Sequence, residues 1–119
     1  MASSGGLDLI ALTTIYFDTW NAHNVEGLRG LLDDGCSLRD WDIEKAGGDA
    51  VAAANGGIFE AVPKIAIEVL MMHVSATTKT VTAEILVKLN NDAAEVLKVV
   101  DIIQFTDAGK ISAVRAYKG

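Results

Sequence analysis

The sequence predicts an α+β domain in which N-terminal helices pack against an antiparallel sheet. Three observations carry that expectation. Apolar residues recur at helical spacing through the first half of the chain, they switch to a two-residue period after Pro63, and turn signals separate the later runs. Helices first and consecutive hairpins afterwards give segregated layers rather than alternating βαβ units.

The first helix is expected from Leu7 to about Ala22. Leu9, Leu12, Tyr16, Trp20 and His23 share one stripe, with Thr14, Asp18 and Asn21 opposite. Asn24 can cap a second, short helix carrying Val25, Leu28, Leu31 and Leu32, with Gly35 as its stop. Cys36 to Asp42 reads as a short strand. Gly47-Gly48-Asp49 opens a third helix with Val51, Ala54, Ile58 and Val62 on one face. Asn55-Gly56-Gly57 weakens it and Pro63 closes it. In the sheet half, Ile65, Ile67, Val69, Met71 and His73 alternate with more polar or outward positions. Val81 to Leu89 repeats the pattern, Asn90-Asn91-Asp92 marks a hairpin, and Glu95 to Thr106 forms a third run. Asp107-Ala108-Gly109 then turns the chain into a last strand from Lys110 to Tyr117.

Composition narrows the function. A chain of 119 residues suits one domain, expected over residues 7–119 behind a flexible leader at residues 1–6. The net charge of −6 argues against a nucleic-acid surface. The stretch Leu7–Phe17 is too short for a membrane span and lacks a basic flank. One cysteine, Cys36, cannot form an internal disulfide, which fits a reducing, cytoplasmic setting. Phosphate-binding glycine loops, nucleophile elbows and cysteine pairs are missing from the sequence. His23 and His73 lack ligand partners at metal spacing, so neither a metal nor another cofactor is expected.

The carboxylates are more telling. Asp101 shares strand parity with Leu97, Val99, Ile103 and Phe105, so alternation puts an acid on an otherwise apolar face. Such a group must find a partner or keep its proton. Asp40 shares parity with Cys36 and Leu38, and Tyr16 lies mid-stripe on the first helix. Three polar tips from three elements therefore point toward one interior. A structural network, with Asp101 simply partnering a buried tyrosine, is the alternative.

At these residues the sequence resembles the bacterial ketosteroid isomerases. The run VVDIIQFTDAGKISAVRAY, from Val99 to Tyr117, follows the order of their last two strands. CSLRD, ending in Asp40, matches the strand that presents their base, and Tyr16 before WNAHN matches the tyrosine that binds substrate oxygen. The resemblance implies the nuclear transport factor 2-like, or cystatin-like, superfamily: a cone of curved sheet closed by helices. It implies cofactor-free proton transfer beside a carbonyl, with Asp40 as base and Tyr16 and protonated Asp101 as oxyanion donors. Substrate contacts are expected from Trp20, Trp41, Phe59, Met71 and His73. Trp41 stands where those isomerases commonly have proline, and the third helix lacks a tyrosine behind Tyr16. These departures favour a small apolar carbonyl compound over a steroid. The superfamily also includes polyketide cyclases and dehydratases, in which His73 could join the acids, and non-catalytic binding modules. A homodimer through the open sheet face is expected, because Leu70, Met72, Leu86, Val100 and Ile102 fall on the parity opposite the pocket.

Overall fold

The computed structural model describes residues 6–91 and 94–119. The expected leader, apart from Gly6, and Asp92 of the expected turn lie outside the described residues. Helix α1 (Leu9–Asn21) begins where the Asp8 carboxylate accepts from the Ala11 amide at 3.0 Å. It buries Leu9, Thr13, Tyr16, Phe17 and Trp20. The chain reverses at His23, whose φ of 55° is left-handed. Its imidazole lies 2.8 Å from the Ile65 carbonyl and stacks on Phe59, which anchors the reversal. Asn24 then caps α2 (Val25–Leu31) by accepting from the Gly27 amide.

Strand β1 (Leu32–Arg39) follows without a loop. Gly35 is therefore inside a strand rather than at a helix stop. The chain becomes extended at Leu32 because β6 offers it a parallel partner, with a register shift between Leu32 and Ser37. A three-residue strand β2 (Glu44–Ala46), absent from the sequence expectation, pairs back on β1. Helix α3 (Gly48–Ala61) enters through Gly47, at a φ of 100° that favours glycine. The remaining strands are β3 (Ala66–Ser75), β4 (Thr80–Lys88), β5 (Val96–Phe105) and β6 (Ile111–Lys118).

The six strands form a curved, unclosed sheet in the order β2-β1-β6-β5-β4-β3. Strands β3 to β6 make the expected antiparallel meander, while β1 joins it in parallel through β6. The core lies between the helices and one sheet face, where Leu28, Cys36, Val81, Ala83 and Ile103 are wholly buried. At the β3 edge, Asn21 accepts from the Ile67 amide at 2.7 Å and donates to its carbonyl at 2.8 Å. That paired contact fastens the end of α1 to the sheet and occupies part of an exposed edge.

One irregularity in β3 changes which residues face inward. Val69 pairs with Ile85, but Met71 pairs with Glu84 and Met72 with Ala83, so the register shifts by one residue between Val69 and Met71. The bulge reverses the parity of everything after it. Met72, expected on the outer face, turns inward and packs against the core. Met71 and His73, expected to contact substrate, turn outward instead. Met71 is 55% exposed, and His73 Nε2 lies 2.7 Å from Glu84 Oε2 on the open face.

Candidate active site

The sheet rows explain where a cavity can exist. Asp101 on β5 pairs with Ala83 on β4 and with Ala116 on β6. Both neighbours are alanines, so the row carries one acid flanked by two methyl groups. The next row, Val81–Ile103–Val114, is bulkier and buried. Space is therefore left directly over the Asp101 carboxyl. The parallel register Leu38 to Val114 and Arg39 to Arg115, continued by one residue, sets Asp40 beside Ala116. Two acids, Asp40 just beyond the end of β1 and Asp101 on β5, thus approach the same hollow from either side of a small residue.

That hollow is a cavity of about 240 Å³. Tyr16 and Trp20 from α1, Asn55, Ile58 and Val62 from α3, and Asp40, Trp41 and Ile43 from the β1–β2 connection line it. Asp101 and apolar side chains of the meander complete the walls. The volume falls below the roughly 300–1,000 Å³ of pockets that enclose drug-sized ligands. It suits a ligand of one or two rings.

Each polar group in the wall has a distinct state. Asp101 is 5% exposed, and burial raises its pKa to about 7, helped by the nearby negative charge of Asp40. Tyr16 is pushed well above the usual phenol range, first by burial, then by Asp101 and Cys36. It remains a hydroxyl donor across the accessible pH range. Among the described residues, neither the Tyr16 hydroxyl nor the Asp101 carboxyl makes a hydrogen bond to the protein, and both line the cavity. Their polar atoms are available to a ligand.

Asp40 is held differently. Its Oδ1 accepts from the Asp42 amide at 2.7 Å and the Ile43 amide at 2.6 Å, while its own amide donates to the Ile43 carbonyl. This Asx turn fixes the carboxylate at the cavity mouth and leaves Oδ2 free of those amides. Trp41, 39% exposed, follows it on the rim.

Trp20 lines the cavity, and its Nε1 donates to Asn55 Oδ1 at 2.9 Å. Asn55 in turn donates to the Val51 carbonyl at 3.0 Å. Asn55 is thus a buried wall residue that sequence reasoning treated only as a weak point of the helix. Its place on the stripe Val51, Asn55, Ile58, Val62 was the available signal. Phe59 does not reach the cavity; it packs edge-on behind Trp20 at 4.9 Å and supports that wall. Met71 and His73 stand on the opposite face of the sheet, for the reason given by the bulge. Cys36 is buried, and burial raises its thiol pKa to about 11, against a nucleophilic role.

A model of the SnoaL-like domain matches residues 14–114. The chain belongs to the SnoaL-like family. Among curated proteins, none matches the sequence. Solved structures share its architecture. A Methylobium petroleophilum protein of unknown function with a cystatin-like fold aligns with a TM-score of 0.81 and 16% identity, over 93% of this chain and 75% of that one. A Kribbella flavida protein provisionally named a ketosteroid isomerase aligns at 0.77 and 19% identity, covering 93% and 77%. A Sinorhizobium meliloti protein provisionally named a polyketide cyclase aligns at 0.77 and 14%, covering 89% and 93%. At these identities the likeness shows the SnoaL-like, nuclear transport factor 2-like fold alone. Among the described residues, no helix is long and apolar enough to cross a membrane, and no three metal-ligating side chains cluster.

The raised pKa of Asp101 makes stability depend on pH. The folded state holds the Asp101 proton to about pH 7, whereas the unfolded chain releases it near pH 4. Its contribution is fully present below pH 4 and is lost as pH rises to 7. Thermal or urea unfolding of the wild type and Asp101→Asn should therefore diverge across that window. The wild type should lose up to about 4 kcal/mol relative to the variant between pH 4 and 8. Parallel curves would remove the strained acid.

Proposed function

We propose that this SnoaL-like domain is a cofactor-independent isomerase that moves a proton beside the carbonyl of a small apolar compound. The observation that carries the reading is the pairing of unlike acids in one cavity wall: Asp40 half-buried at the mouth and Asp101 buried with a raised pKa. Environments that push two carboxyls apart suit one to be a base and the other a proton-bearing donor.

For a β,γ-unsaturated ketone the step balances as follows. Asp40 takes the proton from the carbon between the carbonyl and the double bond. The electron pair moves into a dienolate, whose oxygen accepts hydrogen bonds from Tyr16 and protonated Asp101. The proton on Asp40 then returns to the γ-carbon, leaving the conjugated ketone and the original carboxylate. Hydrogen bonds to the developing oxyanion lower the barrier because they strengthen as its charge grows. Trp20, Ile58 and Val62 give the apolar surround that keeps water from competing. The cavity volume favours a substrate smaller than a steroid. His73 lies outside the cavity, which removes the form of the cyclase reading that needed it.

The direct assay is conversion of cyclohex-3-en-1-one to its conjugated isomer, followed by absorbance. Asp40→Asn should abolish turnover while leaving the binding of a small phenol intact. Tyr16→Phe should lower kcat about a hundredfold or more. In the wild type, kcat should fall as pH rises above about 7, because ionised Asp101 can no longer donate. Undiminished turnover in Asp40→Asn would refute the mechanism.

The same reading includes a homodimer through the open sheet face. Leu70 and Tyr117 are 54% and 46% exposed there, beside partly exposed Leu86, Val100 and Ile102. A contiguous apolar face of that kind favours self-association. Light scattering after gel filtration should give twice the chain mass, and Leu86→Glu should give the single mass. A monomer in the wild type at high micromolar concentration would count against it.

A further inference from the structure

The inner face of the sheet changes character along the cavity. One row, Met72–Ala83–Asp101–Ala116, sets the acid between two alanines. Two residues along β5 the row is Val69–Ile85–Val99, and two further it is Ile67–Val87–Leu97. Every member of these two rows is branched and apolar, and all but Val69 line the cavity. Ile58 and Val62 line the same hollow from the helix layer. The ionisable groups of the wall, Tyr16, Asp40, Asp42 and Asp101, belong to α1, the alanine row and the β1–β2 connection. The branched rows carry none. The cavity therefore has a polar end and an apolar end.

Its proportions differ at the two ends as well. From Asp101 to Leu97 is four residues of extended strand, about 13 Å. Spread over that length, a cavity of about 240 Å³ has a mean cross-section of about 18 Å². The alanine row takes more than its share of the width, because methyl groups flank the acid. What remains beyond Val99 is a slot about as wide as one alkyl chain. Val62, Val87 and Leu97 are partly exposed, so the slot opens at its far end.

We propose that this slot is a tail subsite, and that the substrate is a carbonyl compound with a compact head and an unbranched alkyl tail of about four to six carbons. The proposal rests on the cavity reading above: the head's oxygen lies against Tyr16 and Asp101, and the tail runs along β5 past Val99 to Leu97. Each tail carbon is buried against branched side chains, and branching at the first tail carbon collides with them. Binding energy gained along the tail holds the reacting carbon beside Asp40.

Phenol, 4-butylphenol and its isomer 4-tert-butylphenol test this by isothermal titration calorimetry. All three carry the hydroxyl that mimics the enolate oxygen, and the two isomers differ only in the shape of the tail. The wild type should bind 4-butylphenol about thirtyfold more tightly than phenol. It should prefer 4-butylphenol to its isomer about tenfold. Leu97→Gln, at a partly exposed position, should cut the butyl-over-phenol ratio about tenfold. Ile15→Gln, the same kind of exchange at an exposed position of α1, should preserve it. If phenol binds and the isomers bind alike, or if the ratio survives in Leu97→Gln, the tail subsite is refuted while the cavity reading stands. If none of the three binds, both readings fall together.

Discussion

The architecture turns on one electrostatic conflict, an acid placed on the apolar face of a sheet. Asp101 cannot leave that face, because strand alternation and the pairing of β5 with both neighbours fix its direction. It cannot ionise freely either, because burial removes the water that would stabilise the charge. The fold accommodates it by surrounding its row with alanines and by leaving open volume above it. The same feature creates both the cavity and the unusual proton affinity within it. A structural account that made Asp101 merely the partner of a buried tyrosine would need a hydrogen bond between them, and none occurs among the described residues.

The other polar groups acquire their roles by contrast. Asp40 lies on a turn that ties one of its oxygens to two amides, which gives it a rigid, half-buried position at the mouth. Tyr16 sits deeper, where burial and neighbouring negative charge both keep its proton in place. Trp20 is fixed by Asn55 on one side and Phe59 on another. The polar groups are thus held by contacts made without a ligand, so little ordering remains to be done when one arrives.

Much of this was legible in the order of residues, and the exceptions have physical causes. The parity of β5 is unbroken, so Asp101 could be placed on the inner face from alternation alone. The α1 stripe likewise put Tyr16 and Trp20 on the buried side. In β3 the same logic failed at Met71 and His73, because one extra residue reverses every side chain beyond it. A bulge leaves no mark in a run such as Val69-Leu70-Met71-Met72, where every residue is apolar. The parallel pairing of β1 with β6 was hidden for another reason: it joins segments more than 70 residues apart, and local spacing carries no information about it. Asn55 was misjudged by treating propensity apart from the stripe on which it lies. Its back-bond to Val51 satisfies the amide within the helix and frees its oxygen for Trp20.

The most direct test is a carbon-13 NMR titration of the Asp101 side-chain carboxyl in the wild type and in Asp40→Asn. The account predicts a wild-type midpoint near pH 7 that moves downward when the Asp40 charge is removed. A midpoint near 4, unchanged by that substitution, would mean that Asp101 is hydrated and remote from Asp40, and the site as described here would not exist.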